Sequence, residues 1–308
     1  MSAFRDNARH MRRGFMRPFF IMTVDVDDWS SLLNFYSVKH DKSIANSKAS
    51  VEDGLIRLLG IFDKHEITAT FFVPGEVAQK NGQAIKNIAE DGHEVACHGL
   101  VHEKDEFLRE RYRQEQQIKE ASRIIEEASG EKPVGFRAPC LRANATTLEV
   151  LQDHGYIYDS SIAPTFVPGY YGYLSAPLKP YHPSYKSIGK IGACRILEIP
   201  ISVNPLVHLP LSAAWMRNLG YSWVRIGIDM NLRLGNPVVF YIHPRDVVSL
   251  PREMGAPWHV YRNTGNIAVK TLDKIIRHAK KSGAEFIKAA DYAKSYVQIN
   301  SLEWQGLS

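Results

Sequence analysis

The chain has 308 residues, of which 44% are hydrophobic and 23% charged, and its net charge is +5. This length suits two ordinary domains or one barrel-sized domain, and the ordinary Gly, Pro and charge content excludes collagen, coiled coil and disorder. Three cysteines (Cys97, Cys140, Cys194) with no CxxC argue against a disulfide framework and for a reducing compartment.

Residues 1–17 carry Arg5, Arg9, Arg12, Arg13 and Arg17, with Phe4, Met11, Phe15 and Met16 between them. They read as a solvated basic leader, with peripheral contact to an anionic membrane as the sharper alternative. No continuous apolar h-region precedes a cleavage site and no run reaches a membrane span, so the expectation is a cytoplasmic protein, at the inner membrane face if the leader binds lipid. The basic residues are dispersed and no recognition motif is present, which predicts no nucleic-acid partner.

From Phe19 a strand and helix alternate. Phe19–Val24 reads as a buried strand ending in acids. Val51–Lys64 has helical apolar spacing at Leu55, Ile56, Leu58, Leu59 and Phe62. Thr68–Val73 is a strand closed by Pro74-Gly75, Gln83–Asp91 a helix stopped by Gly92, and Glu94–Cys97 a third strand. Glu106–Ser129 is expected as one long helix stopped by Gly130. Phe136–Pro139 ends another strand, and Thr146–His154 is a helix. Ile196–Ile201 and Val238–Ile242 read as strands, Ile267–Ser282 as a helix, Glu285–Ile287 as a short strand and Ala289–Tyr296 as a last helix. This alternation predicts an α/β barrel or an open parallel sheet over residues 18–296, with a tail at 297–308. Residues 164–192, rich in Tyr, Pro and Gly, interrupt it as a loop-rich insertion. Tyr170, Tyr171, Tyr173, Tyr181 and Tyr185 there would either stack on a sugar or pack the loop itself.

The polar clusters sit just after strands, where function gathers in parallel α/β folds. His98 and His102, four apart, suit two ligands of one metal ion. Asp25, Asp27 and Asp28 crowd the end of the first strand, where a cation would relieve their repulsion. One carboxylate plus two imidazoles makes an open metal site, while another carboxylate takes a proton. Arg137 is placed to fork onto a carboxylate, and His243, at the end of another strand, to act as general acid.

Taken together these residues resemble the polysaccharide deacetylase family, the NodB-homology or carbohydrate esterase family 4 group. Within it they are similar to the exopolysaccharide deacetylases associated with exosortase gene clusters. The resemblance rests on Asp25-Val26-Asp27-Asp28-Trp29, on Gly92-His93-Glu94-Val95-Ala96-Cys97-His98-Gly99-Leu100-Val101-His102, and on Arg137-Ala138-Pro139. It rests also on Tyr158-Asp159-Ser160-Ser161-Ile162, Glu198-Ile199-Pro200 and Tyr241-Ile242-His243-Pro244-Arg245-Asp246. It implies a distorted (β/α)7-like barrel and metal-dependent hydrolysis of an N-acetyl group on an amino sugar in a polysaccharide or lipid-linked glycan. By the same resemblance Asp25 is the base, Arg137 orients it, His243 is the acid and the backbone N–H of Cys140 helps hold the oxyanion. Asp27, His98 and His102 bind one divalent metal, zinc by default with cobalt, nickel or manganese as substitutes; Asp28 is the alternative third ligand. Pro139, Tyr241 and Arg245 border the substrate. Arg245-Asp246 stands where the family has Trp-Glu, which removes an apolar wall beside the acid. Two alternatives keep the fold: deformylation of a lipid-linked amino sugar, or metal-free opening of a cyclic amide as in allantoinases. A third is a non-catalytic glycan-binding module. The oligomeric state is left open.

Overall fold

A computed structural model describes residues 18–39, 51–167 and 171–296. The basic leader, Tyr170 and the tail lie outside the described residues. The strands are β1 (Phe19–Asp25), β2 (Thr70–Val73), β3 (Glu94–Cys97), β4 (Gly135–Phe136), β5 (Tyr158–Asp159), β6 (Phe166–Val167), β7 (Tyr171–Gly172), β8 (Pro183–Ser184), β9 (Ser187–Ile191), β10 (Leu197–Glu198), β11 (Val238–Ile242) and β12 (Glu285–Phe286). Eight of them form one parallel sheet in the order β10-β5-β4-β3-β2-β1-β11, with β12 on the first two residues of β1. The sheet curves until its ends approach. Ile199 N–H donates to Asp159, Ile201 N–H to Ile162 and Ser202 N–H to Val239. Ser202 Oγ accepts from Val239 N–H at 2.8 Å and donates to Pro237 at 3.2 Å. An extended segment after β10 thus closes the distorted barrel onto β11 with a side chain where a strand ladder would run.

The period-two alternation of strands sorts the residues of β1. Phe20, Met22 and Val24 point outward into the layer shared with the helices. Ile21 points inward to Phe72, Ala96, Tyr158, Leu197 and Val239, and the floor is sealed by Ala289, Ala290, Tyr292 and Ala293. The inward positions nearer the strand end, Thr23 and Asp25, are polar, and this end of the barrel carries the site.

Among the helices, Glu52–Lys64 and Asn266–Lys281 match their apolar spacing, and Ala145–Asp153 begins at a capping box between Asn144 and Thr147. The expected continuous helix over Glu106–Ser129 is divided. A 3₁₀ turn, Glu106–Leu108, is followed by extended Arg109 and Glu110 before a helix at Arg111–Ser129. The break lets buried Phe107 pack edge-on against Phe136 at 4.8 Å, while Gln114 Nε2 donates to Arg109 O at 2.8 Å. The region 164–192 contains two small antiparallel hairpins, β6–β7 and β8–β9. Tyr181 spends its hydroxyl on Ile188 within the insertion, while Tyr173 and Tyr185 donate to Ala143 and Gln152 and tie the insertion to the body of the fold. Among the described residues no helix is long and apolar enough to cross a membrane.

Candidate active site

The site grows from the end of β1. Val26 N–H donates to Phe72 O and Asp27 N–H turns back to Asp25 O, both at 2.9 Å, so Asp25 and Asp27 face the same hollow. Asp28 does something else. Its Oδ1 accepts from Ser31 N–H at 2.9 Å, Ser31 Oγ at 2.9 Å and Ser30 Oγ at 2.6 Å, which caps the helix Trp29–Phe35. A carboxylate spent in this way is turned from the metal-binding position, and the cluster that could hold a metal is Asp27, His98 and His102, with ligand atoms within 4.8 Å of one another.

His98 follows β3 and is almost fully buried. Its Nδ1 lies 2.6 Å from the Arg137 carbonyl, which accepts the proton and leaves Nε2 bare toward Asp27. Burial pushes its pKa down to about 4, which keeps the ring neutral, as a ligand must be. Gly99 then adopts φ +78°, and a Cβ there would stand 2.9 Å from the Phe107 ring. Gln117 Oε1 receives Leu100 N–H at 3.1 Å and Val101 N–H at 3.3 Å, and Glu76 Oε1 receives His102 N–H at 3.4 Å. The turn brings His102 Nε2 to 3.4 Å from Asp27 Oδ2, with His98 Nε2 3.6 Å from Asp27 Oδ1.

These separations fit a small cation. Two ligands about 2.0–2.1 Å from a tetrahedral zinc are about 3.3–3.4 Å apart. Asp27 Oδ1 is also a buried oxygen with no hydrogen-bond partner. Burial alone would raise the Asp27 pKa, but the charges of His102, Arg245 and His243 hold it well below the usual carboxylate range.

Arg137 is fully buried. Nη1 donates to Asp25 Oδ1 at 2.6 Å and Thr23 Oγ1 at 3.0 Å, Nη2 to Ser160 Oγ at 2.9 Å, and Nε to Ser160 O at 3.0 Å. The guanidinium carbon lies 4.2 Å from the centre of the Phe72 ring and 5.7 Å from that of Tyr241. Four donated bonds fix the guanidinium, and one of them holds the Asp25 carboxylate by Oδ1. Beyond Arg137 the backbone enters a turn in which Cys140 and Leu141 both have positive φ, 55° and 57°. Cys140 and Leu141 border the pocket, whereas Pro139 is buried against Gly99. Pro139, expected to border substrate, shapes the turn instead.

At the end of β11, His243 and Asp246 form a reciprocal cap. His243 N–H donates to Asp246 Oδ2 at 2.9 Å and His243 Nδ1 lies 3.2 Å from the same oxygen. His243 Nε2 then faces Asp27 Oδ2 at 3.6 Å. The Tyr241 ring lies 5.6 Å from that of His243. Arg245, expected to border substrate, does line the pocket, but Nη1 also donates to Asp27 Oδ2 at 2.8 Å.

Sequence reasoning misses Arg217, in the helix Ala213–Leu219. Its Nε is 2.8 Å from Asp246 Oδ1, and its Nη1 donates to Val260 O at 2.7 Å and Arg262 O at 2.9 Å. Asp246 therefore joins the acid to the rim residues 259–262. Burial would raise its pKa, but Arg217 and His243 hold it low. No signal in the sequence marks this arginine. His259 and Tyr36, 3.0 Å apart, also line the pocket, a cavity of about 170 Å³. A larger hollow of about 580 Å³ near Pro18 and Pro237 has one acid, Asp229, bonded to His278 at 2.7 Å, and no set of groups for chemistry.

The comparisons bear on the same residues. Residues 49–158 match the polysaccharide deacetylase family, and residues 160–293 match a domain of unknown function, DUF3473. A peptidoglycan deacetylase of Helicobacter pylori is 30% identical over 149 residues, 48% of this chain and 50% of that protein; the chain thus spans about half that relative's length. A Mycobacterium smegmatis structure assigned to the polysaccharide deacetylases superposes with TM-score 0.69 at 22% identity over 92% of this chain and 91% of that one. An allantoinase structure superposes with TM-score 0.65 at 18% identity, over 92% and 91% of the two chains, which is likeness of fold alone. The matched stretch 49–158 holds His98, His102 and Arg137, and the stretch 160–293 holds His243 and Arg217; His98, His102, His243 and Arg217 line one pocket. Over residues 49–158 the chain is similar to the polysaccharide deacetylase family.

Proposed function

We propose that this protein is a metal-dependent hydrolase that removes the N-acetyl group from an amino sugar of a glycan. The observation that carries the reading is the convergence of Asp27, His98 and His102 beside the Asp25–Arg137 pair and the His243–Asp246 pair. In this reading Asp27, His98 and His102 hold one divalent cation, zinc first, with cobalt, nickel or manganese as substitutes. Such a cation supplies Lewis acidity to the acyl carbonyl and acidifies water beside it.

The rest of the chemistry belongs to the chain. Asp25, with Oδ1 held by Arg137, takes the proton of the attacking water on its other oxygen. The Cys140 N–H donates to the carbonyl oxygen as it gains charge. His243 delivers a proton from Nε2 to the amine nitrogen as the C–N bond breaks, while Asp246 keeps the ring in place through Nδ1. The products are acetate and a free amino sugar. Tyr241 walls the pocket beneath the acid. Within the family we assign the chain to the exosortase-associated branch, supported by the domain matched over residues 160–293. We also place it in the cytoplasm, a reading supported by three unpaired thiols and checked by fractionation.

The test measures bound metal and acetate released from N-acetylglucosamine oligomers, for wild type and His98→Ala. About one metal per chain, lost together with acetate release in the variant, is expected. Metal without acetate redirects the search to formylated sugars. No metal in either protein under metal-replete conditions sinks the mechanism and favours a metal-free amide hydrolase or a binding module.

A further inference from the structure

Arg245 is the feature that the reaction above does not use. A guanidinium donating at 2.8 Å to a candidate metal ligand is unexpected, because a dication on the same carboxylate repels it. The other carboxylates around the pocket offer it no simple alternative. Asp25 is held by Arg137 at 2.6 Å, and Asp246 is shared between Arg217 at 2.8 Å and His243. Without a cation, Arg245 balances Asp27; with one, Asp27 has its counter-charge and the arginine does not. Its side chain is 12% exposed and borders the cavity, so a short swing of the planar head carries it toward the space where substrate sits. A guanidinium recognises carboxylate and phosphate through paired N–H donors.

The geometry points to Arg245 as an exchangeable counter-ion: a divalent cation displaces it from Asp27, and the displaced guanidinium then selects sugars carrying an anionic substituent near the acetamido group. The selectivity rests on the deacetylase reading of this pocket. The exchange needs only that the pocket bind a cation.

The test has two arms, both on the full chain. In the first, cobalt affinity is measured by competition with a chelator for wild type, Arg245→Met and Arg245→Lys. Loss of the competing charge in Arg245→Met is expected to tighten cobalt about tenfold, while Arg245→Lys stays near wild type. Weaker cobalt binding by Arg245→Met would mean that the arginine stays on Asp27 to orient it, and would overturn the exchange. If Arg245→Met does not fold, a cobalt-bound crystal structure of the wild type decides. Arg245 off Asp27 supports the exchange, and Arg245 still on Asp27 overturns it. No cobalt binding by wild type sinks the proposed function itself, a different failure.

In the second arm, cobalt-loaded enzyme is given three probes. They are a neutral N-acetylglucosamine oligomer, an oligomer of N-acetylglucosamine alternating with its lactyl-ether acid, and uridine-diphosphate N-acetylglucosamine. Dissociation constants are measured alongside acetate release. Tighter binding of either anionic probe by about tenfold, lost in Arg245→Met and kept in Arg245→Lys, supports the selectivity. The preferred probe tells carboxylate from phosphate. Equal binding of all three probes, unchanged in Arg245→Met, overturns it.

Discussion

Two glycines of one helix should respond in opposite directions to the same substitution. Gly54 and Gly60 both lie in Glu52–Lys64. Alanine is worth about 1 kcal/mol more than glycine inside a helix. Gly60 is exposed with nothing within 4 Å of an added Cβ, so Gly60→Ala should gain close to that full amount. At Gly54 the Cβ would stand 2.4 Å from Pro244 O and 2.6 Å from Pro244 C, both backbone atoms of the turn after His243. Overpacking costs about 1–3 kcal/mol, so the net result is a loss of up to about 2 kcal/mol. A turn that yields carries His243 with it. Urea denaturation should therefore move the midpoint up for Gly60→Ala and down for Gly54→Ala, and acetate release should fall only in Gly54→Ala. Equal stabilisation by both would refute the reasoning, because it would mean that the helix does not seat the His243 turn by close contact.

Asp28→Ala should cost about 1 kcal/mol of stability as a lost helix cap yet leave metal stoichiometry unchanged; lost metal would make Asp28 a ligand. Gly99→Ala, strained at φ +78° and tight against Phe107, should weaken metal binding by misplacing His98 and His102, and unaltered affinity in a calorimetric titration would contradict this. Asp159 and Glu198 pair across β5 and β10, each with one buried oxygen lacking a hydrogen-bond partner. Burial raises the Asp159 pKa to about 6 and lifts Glu198 well above its usual range. Groups raised on folding bind protons more tightly in the native state, so their stabilisation is present below the unfolded values near 4 and is lost as pH climbs. Glu198→Gln, which still bonds Asp159 without needing a proton, should flatten that decline between pH 5 and 8 in urea midpoints. Parallel curves for the two proteins would show that the pair does not titrate.

Much of the site is visible in the amino acids because it sits on local signals. Asp25 and Asp27 end an unbroken apolar run, and His98 and His102 flank the glycine that their turn requires. The choice between Asp27 and Asp28 stays open in the sequence, although Asp28 before Trp29-Ser30-Ser31 carries a helix-cap pattern that the structure uses. Arg217 was not legible, since nothing local separates a buried arginine that meets Asp246 from a solvated one. The break before Arg111 carries no Gly or Pro and is decided by where Phe107 packs, a tertiary effect that spacing does not encode. The antiparallel hairpins of the insertion are two-residue pairings, too short for alternation to register.

β1 is synthesised before the other strands of its sheet, yet of its three neighbours only β2 follows soon; β11 and β12 arrive more than two hundred residues later. Until then one flank of an almost wholly apolar strand has no native partner, a condition that invites pairing with other chains. The proposed base, Asp25, hangs from that strand, so the pocket is completed only when β1 and β11 are joined. A nascent chain stalled before Val238 would carry His98 and His102 but not His243, and quality control would meet it first.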